Sequence, residues 1–343
     1  MNISLDEYEY EQYACDNINE IPAMLEKYGV AIVPKLLNAD ECDKMKIGMW
    51  DYLETITKNF DTPISRDDSD TWREFKKLWP KHSMLLQQFS IGHAQFIWDL
   101  RQNPKIIKVF STIWNTPPED LLVSFDGASI HFPPETTRIG WAKTDKTWFH
   151  SDQCFLRNGF ECIQSWVTAY DVNPGDATLT FLEGSHKHHQ SFKEYKAKTM
   201  KDGTVEDLFK KAGDWYKLDS QDELDFYIKK KRCQQKCIIC PAGSLVLWDS
   251  RTIHCGIEAL KERPTPNTRC VAYLCYTPRT LASEAVLAKK VKAFKELRTT
   301  NHWPHKPILF PTMPRTYGVP LAPISEIDPP TGITDLGKRL IGF

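Results

Sequence analysis

The sequence lacks several features that would indicate a membrane or nucleic-acid partner. No apolar run approaches the roughly 18–20 residues that a membrane-spanning helix needs. Basic and acidic residues nearly balance, with 44 Lys and Arg against 45 Asp and Glu, so no net positive charge favours nucleic acid or an anionic membrane surface. We therefore expect neither partner.

The amino terminus and the cysteines bear on the cellular compartment. Residues 1–7 lack a basic start followed by an apolar core, so we expect no signal peptide. Ten cysteines in a chain of 343 residues fit reduced thiols better than the disulfide framework of a small secreted domain. We expect a cytoplasmic protein, and a monomer or a weak homodimer.

Along the chain, an amino-terminal part with helices and one β-branched strand at 30–37, expected to pack on the barrel, precedes a part made of short strands. Asn38 with Glu41 three positions later is typical of a helix start. Strand-like segments separated by turn residues follow at 121–126, 146–152, 162–171, 177–182, 236–240, 244–249 and 268–276. We expect one domain over residues 1–343. Its expected parts are an amino-terminal segment (1–120), a β core (121–280) with a helical insertion (192–231), and a carboxy-terminal helix and Pro-rich tail (281–343).

Two histidines and one aspartate form the most informative pattern. In an extended strand, residues at positions i and i+2 project on the same side, so His150 and Asp152 can face one metal ion. His254 follows a second apolar, strand-like run and can supply a third ligand. Two His and one carboxylate with open positions are typical of non-haem Fe(II) oxygenases. The sequence therefore predicts a metal site with catalytic residues His150, Asp152 and His254.

Four blocks of the sequence form a family pattern. They are the segment 28–34, the motif Trp148-Phe149-His150-Ser151-Asp152-Gln153, the motif Glu183-Gly184-Ser185-His186, and the segment 242–256 followed by Arg269. These blocks resemble the phytanoyl-CoA dioxygenase family of Fe(II)- and 2-oxoglutarate-dependent oxygenases. The resemblance runs from about residue 28 to residue 277, and the blocks occur in the family's order.

This resemblance implies the fold and the cofactors. The implied fold is mainly β with helical decoration (α+β), built on a double-stranded β-helix, the cupin-like jelly roll. The implied cofactor is Fe(II), with 2-oxoglutarate and O₂ as co-substrates. The implied reaction oxidises an unactivated C–H bond of a small molecule, by hydroxylation, ring closure or desaturation, and releases CO₂ and succinate. Asp152 is present, which favours oxidation over halogenation.

Arg269 corresponds to the arginine that binds the far carboxylate of 2-oxoglutarate in the family. A guanidinium suits this role because it forms two parallel, charge-assisted bonds with a carboxylate. The gap of 15 positions from His254 is longer than usual, so Arg251 and Arg279 stay open as alternatives. Trp166 matches an aromatic residue beside the co-substrate. Gln164, on the same strand face, is either a co-substrate contact or a core residue.

The sequence says less about the substrate. His131, Arg138, Lys143 and Arg279 lie near the predicted iron-binding and arginine-bearing strands. Cations around the mouth of a barrel would favour a small acidic metabolite, although these side chains can equally be surface charges. We expect residues 58–82, 128–147 and 192–231 to choose the substrate, because function on shared scaffolds varies through loops.

Two other classes of function are compatible with a jelly roll. A catalytically silent binding protein would have no need to keep His150, Asp152, His254 and Arg269 together. A metal-dependent hydrolase or isomerase would have no use for Arg269. Both alternatives are therefore less favoured than the oxygenase.

Overall fold

The computed structural model describes residues 3–143 and 147–343, and most described strands form two facing sheets. The first sheet, in spatial order, contains β1 (Tyr8–Glu9), β10 (Gln235–Ile238), β8 (Thr178–Leu182), β12 (His254–Ile257), β6 (His150–Ser151) and β9 (Tyr216–Lys217). The second contains β2 (Val30–Val33), β11 (Leu245–Asp249), β7 (Ile163–Thr168), β13 (Arg269–Tyr273), β5 (Ala128–His131) and β3 (Leu85–Leu86). Strands β4 (Leu121–Val123) and β14 (Tyr276–Pro278) pair separately.

Side chains alternate across both sheets, as the two-residue period of a strand requires. On β7, Ile163 and Val167 pack outward into the largest apolar cluster, whereas Trp166 faces the other sheet. Strand β11 alternates in the same way between Leu247 and Trp248. The two sheets therefore enclose a shared interior. This arrangement confirms the expected α+β class with a jelly-roll core.

Helices cover the outer faces of the sheets. The second sheet is covered mainly by helices of the amino- and carboxy-terminal parts: α1 (Ile21–Tyr28), α2 (Ala39–Thr57), α3 (Gln95–Arg101), α4 (Pro104–Trp114), α9 (Glu284–Lys295) and α10 (Asp335–Ile341). The insertion packs on the first sheet through α6 (His189–Thr199), α7 (Val205–Ala212) and α8 (Gln221–Asp225). A short helix, α5 (Pro134–Thr137), follows β5. Among the described helices, none combines the length and apolar character needed to cross a bilayer.

Local signals explain several element boundaries. Asn38 caps α2, since its side chain accepts the backbone N–H of Glu41 at 2.9 Å and its own N–H reaches the Glu41 carboxylate at 2.7 Å. Helix α1 ends at Gly29, which has a φ of 80°. A β-carbon there would lie 2.6 Å from both His186 Nδ1 and Thr252 Oγ1, so glycine is required by space as well as by conformation.

The structure differs from the sequence-based expectation in several places. Residues 128–131 form strand β5, which the expected strands did not include, and the strand expected at 30–37 is limited to β2, an edge strand of the second sheet. The segment 69–78 is a 3₁₀-helix. The strand expected at 146–152 is limited to β6, and Lys146 lies outside the described residues. The tail contains helix α10, and it packs on the body through Trp303, which is buried.

The long turn between β12 and β13 is fixed by a buried ion cluster. Arg263, whose side chain is 1% exposed, donates to Asp176 at 2.9 Å and to Glu135 at 2.6 and 2.8 Å. Asn267 also donates to Asp176, at 2.6 Å. The cluster holds the turn in place just before Arg269, at the start of β13.

We predict that Arg263→Met destabilises the protein by about 3 kcal/mol, because removing one partner of a buried ion pair leaves the other charge uncompensated. The free energy of unfolding, measured by denaturant titration, checks this. Lys261→Met is the control, since Lys261 is exposed on the same turn and should change stability by less than about 0.5 kcal/mol. Equal effects of the two substitutions would show that the cluster does not stabilise the turn.

Candidate active site

The two predicted histidine ligands face each other across neighbouring strands. Antiparallel pairing of β12 with β6 places His254 directly opposite His150, and the centres of their imidazole rings are 4.4 Å apart. Asp152 follows two positions after His150, on the same side. Its Oδ2 lies 3.5 Å from His150 Nε2 and 3.3 Å from His254 Nε2. The structure therefore brings all three predicted ligands together, and they are buried.

The hydrogen bonds of the imidazoles suit metal binding. His150 Nδ1 lies 3.1 Å from the carbonyl oxygen of Trp148, and His254 Nδ1 lies 2.9 Å from that of Thr252. A carbonyl can only accept, so each Nδ1 carries the proton and each Nε2 offers its lone pair. Burial lowers the pKa of His254, as does neighbouring His150, which favours the neutral imidazole that a metal requires.

Asp152 supplies an ionised carboxylate. Burial alone would raise its pKa, but the positive charge that neighbouring His150 and His302 carry when protonated outweighs burial and holds the pKa well below its usual range, so a proton in this cluster resides on an imidazole and not on the carboxylate. Gln164, on β7, donates from Nε2 to Asp152 Oδ2 at 2.9 Å. The donor set of two neutral imidazoles and one carboxylate fits a divalent iron ion.

Arg269 lies on the opposite sheet and faces the same interior. Its side chain is buried, donates to Ser129 Oγ at 3.2 Å and to the Ala177 carbonyl at 3.1 Å, and stands 5.0 Å from the centre of the Trp166 ring. Burial lowers the pKa of Arg269, opposed by neighbouring Tyr273. Within residues 3–143 and 147–343, no carboxylate lies within 4 Å of this guanidinium, so its charge is available to a bound anion.

The two alternative arginines are engaged elsewhere. Arg251 pairs with Asp249 at 2.6 Å and lines a different groove. Arg279 donates to the carbonyl oxygens of Arg339 and Gly342 at the carboxy-terminal end of α10, both at 3.1 Å. Neither lines the cavity that contains the histidine–aspartate cluster.

That cavity has a volume of about 560 Å³, within the range of sites that bind small molecules. The metal-binding cluster, Arg269, Trp166 and Gln164 all line it. Further lining residues that the sequence did not single out as site residues are Lys81, His82, Asp126, Trp148, Asp214, Trp215, Tyr273, Asn301, His302, Trp303, Ile308 and Phe310.

The four substrate candidates from the sequence are not among the described residues that line this cavity. His131 is buried, and its Nε2 bonds to the Gly140 carbonyl at 2.8 Å, as a core polar residue does. Arg138 and Lys143 are exposed, and Arg279 lies against α10. Proximity in sequence to the ligand strand did not place Arg138 and Lys143 at the cavity wall: both follow α5 and are exposed.

Among the cavity residues that the sequence reading did not assign to the site, Trp148 and Tyr273 had a local signal, since Tyr273 shares a strand face with Arg269. Trp148 precedes His150 by two positions, and the alternation of a strand places both on one side. Asp126, Trp215 and His302 come from a strand connection, the insertion and the tail, so only the tertiary fold brings them to the site.

The chain is similar to known proteins in sequence and in structure. A protein of Aspergillus versicolor, Ava biosynthesis cluster protein O, is 27% identical over 249 residues, which cover 73% of this chain and 75% of that protein. The solved structure of GlcNAc-inducible gene 2 from Candida albicans has a TM-score of 0.50 at 12% identity and covers 81% of this chain and 67% of its own. The epimerase SnoN, solved with Fe³⁺, α-ketoglutarate and nogalamycin RO, has a TM-score of 0.42 at 15% identity, over 92% of this chain and 96% of its own.

The sequence model of phytanoyl-CoA dioxygenase (PhyH) matches residues 25–258. The match contains strand β6 and its partner β12, and hence His150, Asp152 and His254. Because it spans more than half of the chain, the chain belongs to the phytanoyl-CoA dioxygenase family.

Proposed function

We propose that the chain is an Fe(II)- and 2-oxoglutarate-dependent dioxygenase that oxidises an unactivated C–H bond of a small molecule. In such a reaction, 2-oxoglutarate supplies two electrons, one oxygen atom of O₂ enters succinate, and the other oxidises the substrate, with release of CO₂. The observation that carries the proposal is a three-residue metal-ligand cluster in the same cavity as a buried arginine that has no carboxylate partner among the described residues.

We assign His150, Asp152 and His254 as the ligands that would hold iron. The bound ion would supply the activation of O₂, whereas the protein sets the orientation of the groups around it. Both Nε2 atoms and Oδ2 converge, and the opposite side of the cluster opens into the cavity. The open side leaves room for a chelating co-substrate and for O₂.

We assign Arg269 and Trp166 to 2-oxoglutarate. The ligand cluster lies on the first sheet and Arg269 on the second, and both line the same cavity. Arg269 would bind the far carboxylate, and Trp166 would fix the guanidinium from its side. A hydrolase or isomerase, or a silent binding protein, gains nothing from keeping this charge buried, because burying an uncompensated charge is costly.

We assign Gln164 as a positioning residue for Asp152. Its amide donates to the ligand oxygen itself, so it fixes the rotamer of the carboxylate. Whether the product is hydroxylated, cyclised or desaturated depends on where the substrate lies relative to the cluster. The three outcomes share the same protein groups.

We predict that His254→Ala abolishes the visible absorption band that Fe(II) and 2-oxoglutarate form together under anaerobic conditions. The substitution removes one of three ligands, so the ion is no longer held. Anaerobic absorption spectroscopy measures the band. His188→Ala is the control, since His188 does not line the cavity and should leave the band unchanged. A normal band in His254→Ala would refute the ligand assignment.

For Arg269→Leu, we expect the affinity for 2-oxoglutarate to fall at least tenfold while iron binding persists. Losing the partner of a buried charge costs on the order of 2–5 kcal/mol. Titration of the same band with 2-oxoglutarate measures the dissociation constant. Arg279→Leu serves as the control, because Arg279 bonds to carbonyls of α10. If Arg269→Leu leaves the affinity unchanged, Arg269 is not the anchor.

Gln164→Leu should weaken Fe(II) binding roughly tenfold or more, because residues that orient a ligand contribute that much to metal affinity. Its affinity for 2-oxoglutarate at saturating iron should stay within about twofold of the unaltered protein. Both constants come from anaerobic titrations. A loss confined to 2-oxoglutarate affinity would instead make Gln164 a co-substrate contact.

A further inference from the structure

The cavity wall beside the ligand cluster is aromatic. His82, Trp148 and His150 form a parallel stack, with ring centres 3.8 Å apart in the first pair and 4.7 Å apart in the second. Trp215, from the insertion, lies 5.7 Å from the His150 ring and is 50% exposed. A large aromatic side chain left half exposed at the mouth of a cavity is typical of a surface that a ligand covers.

The carboxy-terminal tail forms a second apolar wall. Residues 301–310 make a closed loop, in which Asn301 N–H donates to the Ile308 carbonyl at 3.0 Å and Phe310 N–H donates to the Thr299 carbonyl at 2.9 Å. The loop presents Trp303, Ile308 and Phe310 to the cavity, and Ile308 is 59% exposed. Aromatic and aliphatic surfaces therefore stand on two sides of the site.

One polar group in these walls has no partner for its charge. Asp126 is 8% exposed and lines the cavity, and its Oδ1 accepts the Gly127 N–H at 2.7 Å. In the part of the chain that the structure describes, no basic side chain lies within 4 Å of this carboxylate, and Oδ2 has no hydrogen-bond donor. Burial raises the pKa of Asp126, opposed by nearby His302, as expected of a buried acid without a counter-ion.

The backbone around Asp126 is held firmly, so the carboxylate is positioned before any ligand arrives. Arg101 donates to the Asp126 carbonyl at 2.8 Å, and Tyr273 N–H donates to the Gly127 carbonyl at 3.0 Å. A β-carbon on Gly127 would lie 2.1 Å from the Leu86 carbonyl oxygen, so this close approach requires glycine. A preorganised acceptor binds a donor at lower entropic cost.

Apart from Asp126 and the arginine that we assign to 2-oxoglutarate, Asp214 and Lys81 are the other charged side chains that the structure describes near the substrate part of the wall, and neither is a buried charge without a partner. Asp214 is neutralised by Arg157. Lys81 donates to Gln87 Oε1 at 2.6 Å and lies 5.6 Å from the centre of the Phe310 ring, at the exposed rim. The substrate part of the cavity thus combines apolar surface with one buried acid.

We propose that the substrate is an apolar, ring-bearing molecule that donates an N–H or O–H group to Asp126. This inference rests on the proposed function, since it names the substrate of the same site. It replaces the acidic metabolite expected from the sequence. That expectation depended on cations that do not line the cavity, and an anionic group beside Asp126 would be repelled. An amine and an alcohol both provide a hydrogen-bond donor to Asp126, and the probes described next distinguish the two.

Four naphthalene probes of similar size test the proposal: 2-(1-naphthyl)ethylamine, 2-(1-naphthyl)ethanol, 1-ethylnaphthalene and 3-(1-naphthyl)propionate. Equilibrium dialysis measures their dissociation constants on the full chain with Fe(II) and 2-oxoglutarate, without oxygen so that no turnover occurs. We expect the amine and the alcohol to bind at least fivefold more tightly than the ethyl compound, and the carboxylate to bind most weakly. Tightest binding of the carboxylate would overturn the proposal.

Asp126→Asn removes the charge and keeps an oxygen that can accept the Gly127 N–H. The affinity for the amine should fall at least tenfold, and the affinity for the alcohol should fall by a smaller factor. The affinity for 1-ethylnaphthalene should stay the same, which also shows that the variant is folded. Asp61→Asn, an exposed acid outside the cavity, is the matched control and should change none of the four constants. Unchanged amine and alcohol affinities in Asp126→Asn would refute the role of Asp126.

Trp215→Ala tests the aromatic wall separately. The affinity for all four probes should fall by a similar factor of three or more, because the substitution removes apolar surface and no hydrogen bond. Ile47→Ala, at an equally exposed apolar residue on α2, is the control. Equal binding before and after Trp215→Ala would refute the aromatic wall. The absorption band of Fe(II) with 2-oxoglutarate, recorded on the same samples, distinguishes failure of this proposal from failure of the proposed function.

Discussion

The pairing of β6 with β12 is the constraint on which the site depends. It sets two imidazoles opposite each other in register, and a one-residue slip of either strand would turn one of them to the outer face. The outer face of the same sheet packs on the insertion through Cys255 and Ile257. The hydrophobic packing that fixes the register therefore also fixes the ligand geometry. The same register sets the positions of the Trp148 and Thr252 carbonyls, which orient the two imidazole rings.

Each of the two facing sheets carries a different part of the site. The first sheet carries the cluster of His150 and His254, and the second carries Arg269, with Trp166 and Gln164 on the adjacent strand. Trp166 and Val271 from the second sheet pack with Phe181 from the first, in the interior between the sheets. Since side chains in such cores are close-packed, the distance between the cluster and the arginine is held within narrow limits.

The sequence predicted the parts of the site that obey local rules or a family pattern. Spacing by two residues predicted that His150 and Asp152 share a side, and the resemblance to the family located His254, Arg269 and the jelly-roll core. The side chains that line the mouth of the cavity could not be predicted from local rules or from the family pattern. Arg138 precedes the ligand strand by 12 positions (150 minus 138) but is exposed beyond α5, whereas Trp215 and His302 reach the cavity from distant segments. Which side chains meet across such distances is decided by tertiary packing.

The tail loop 301–310 lies beyond the segment that matches the family, yet it forms one wall of the cavity. It is closed by its own backbone hydrogen bonds and contributes no ligand to the metal cluster. Substitutions at Trp303, Ile308 and Phe310 can therefore change the shape of the cavity wall while the three metal ligands, and His302 beside Asp152, stay in place. A change of substrate therefore needs substitutions only in a wall of the cavity, whereas the sequence of the strands around His150 and His254 is constrained by metal binding.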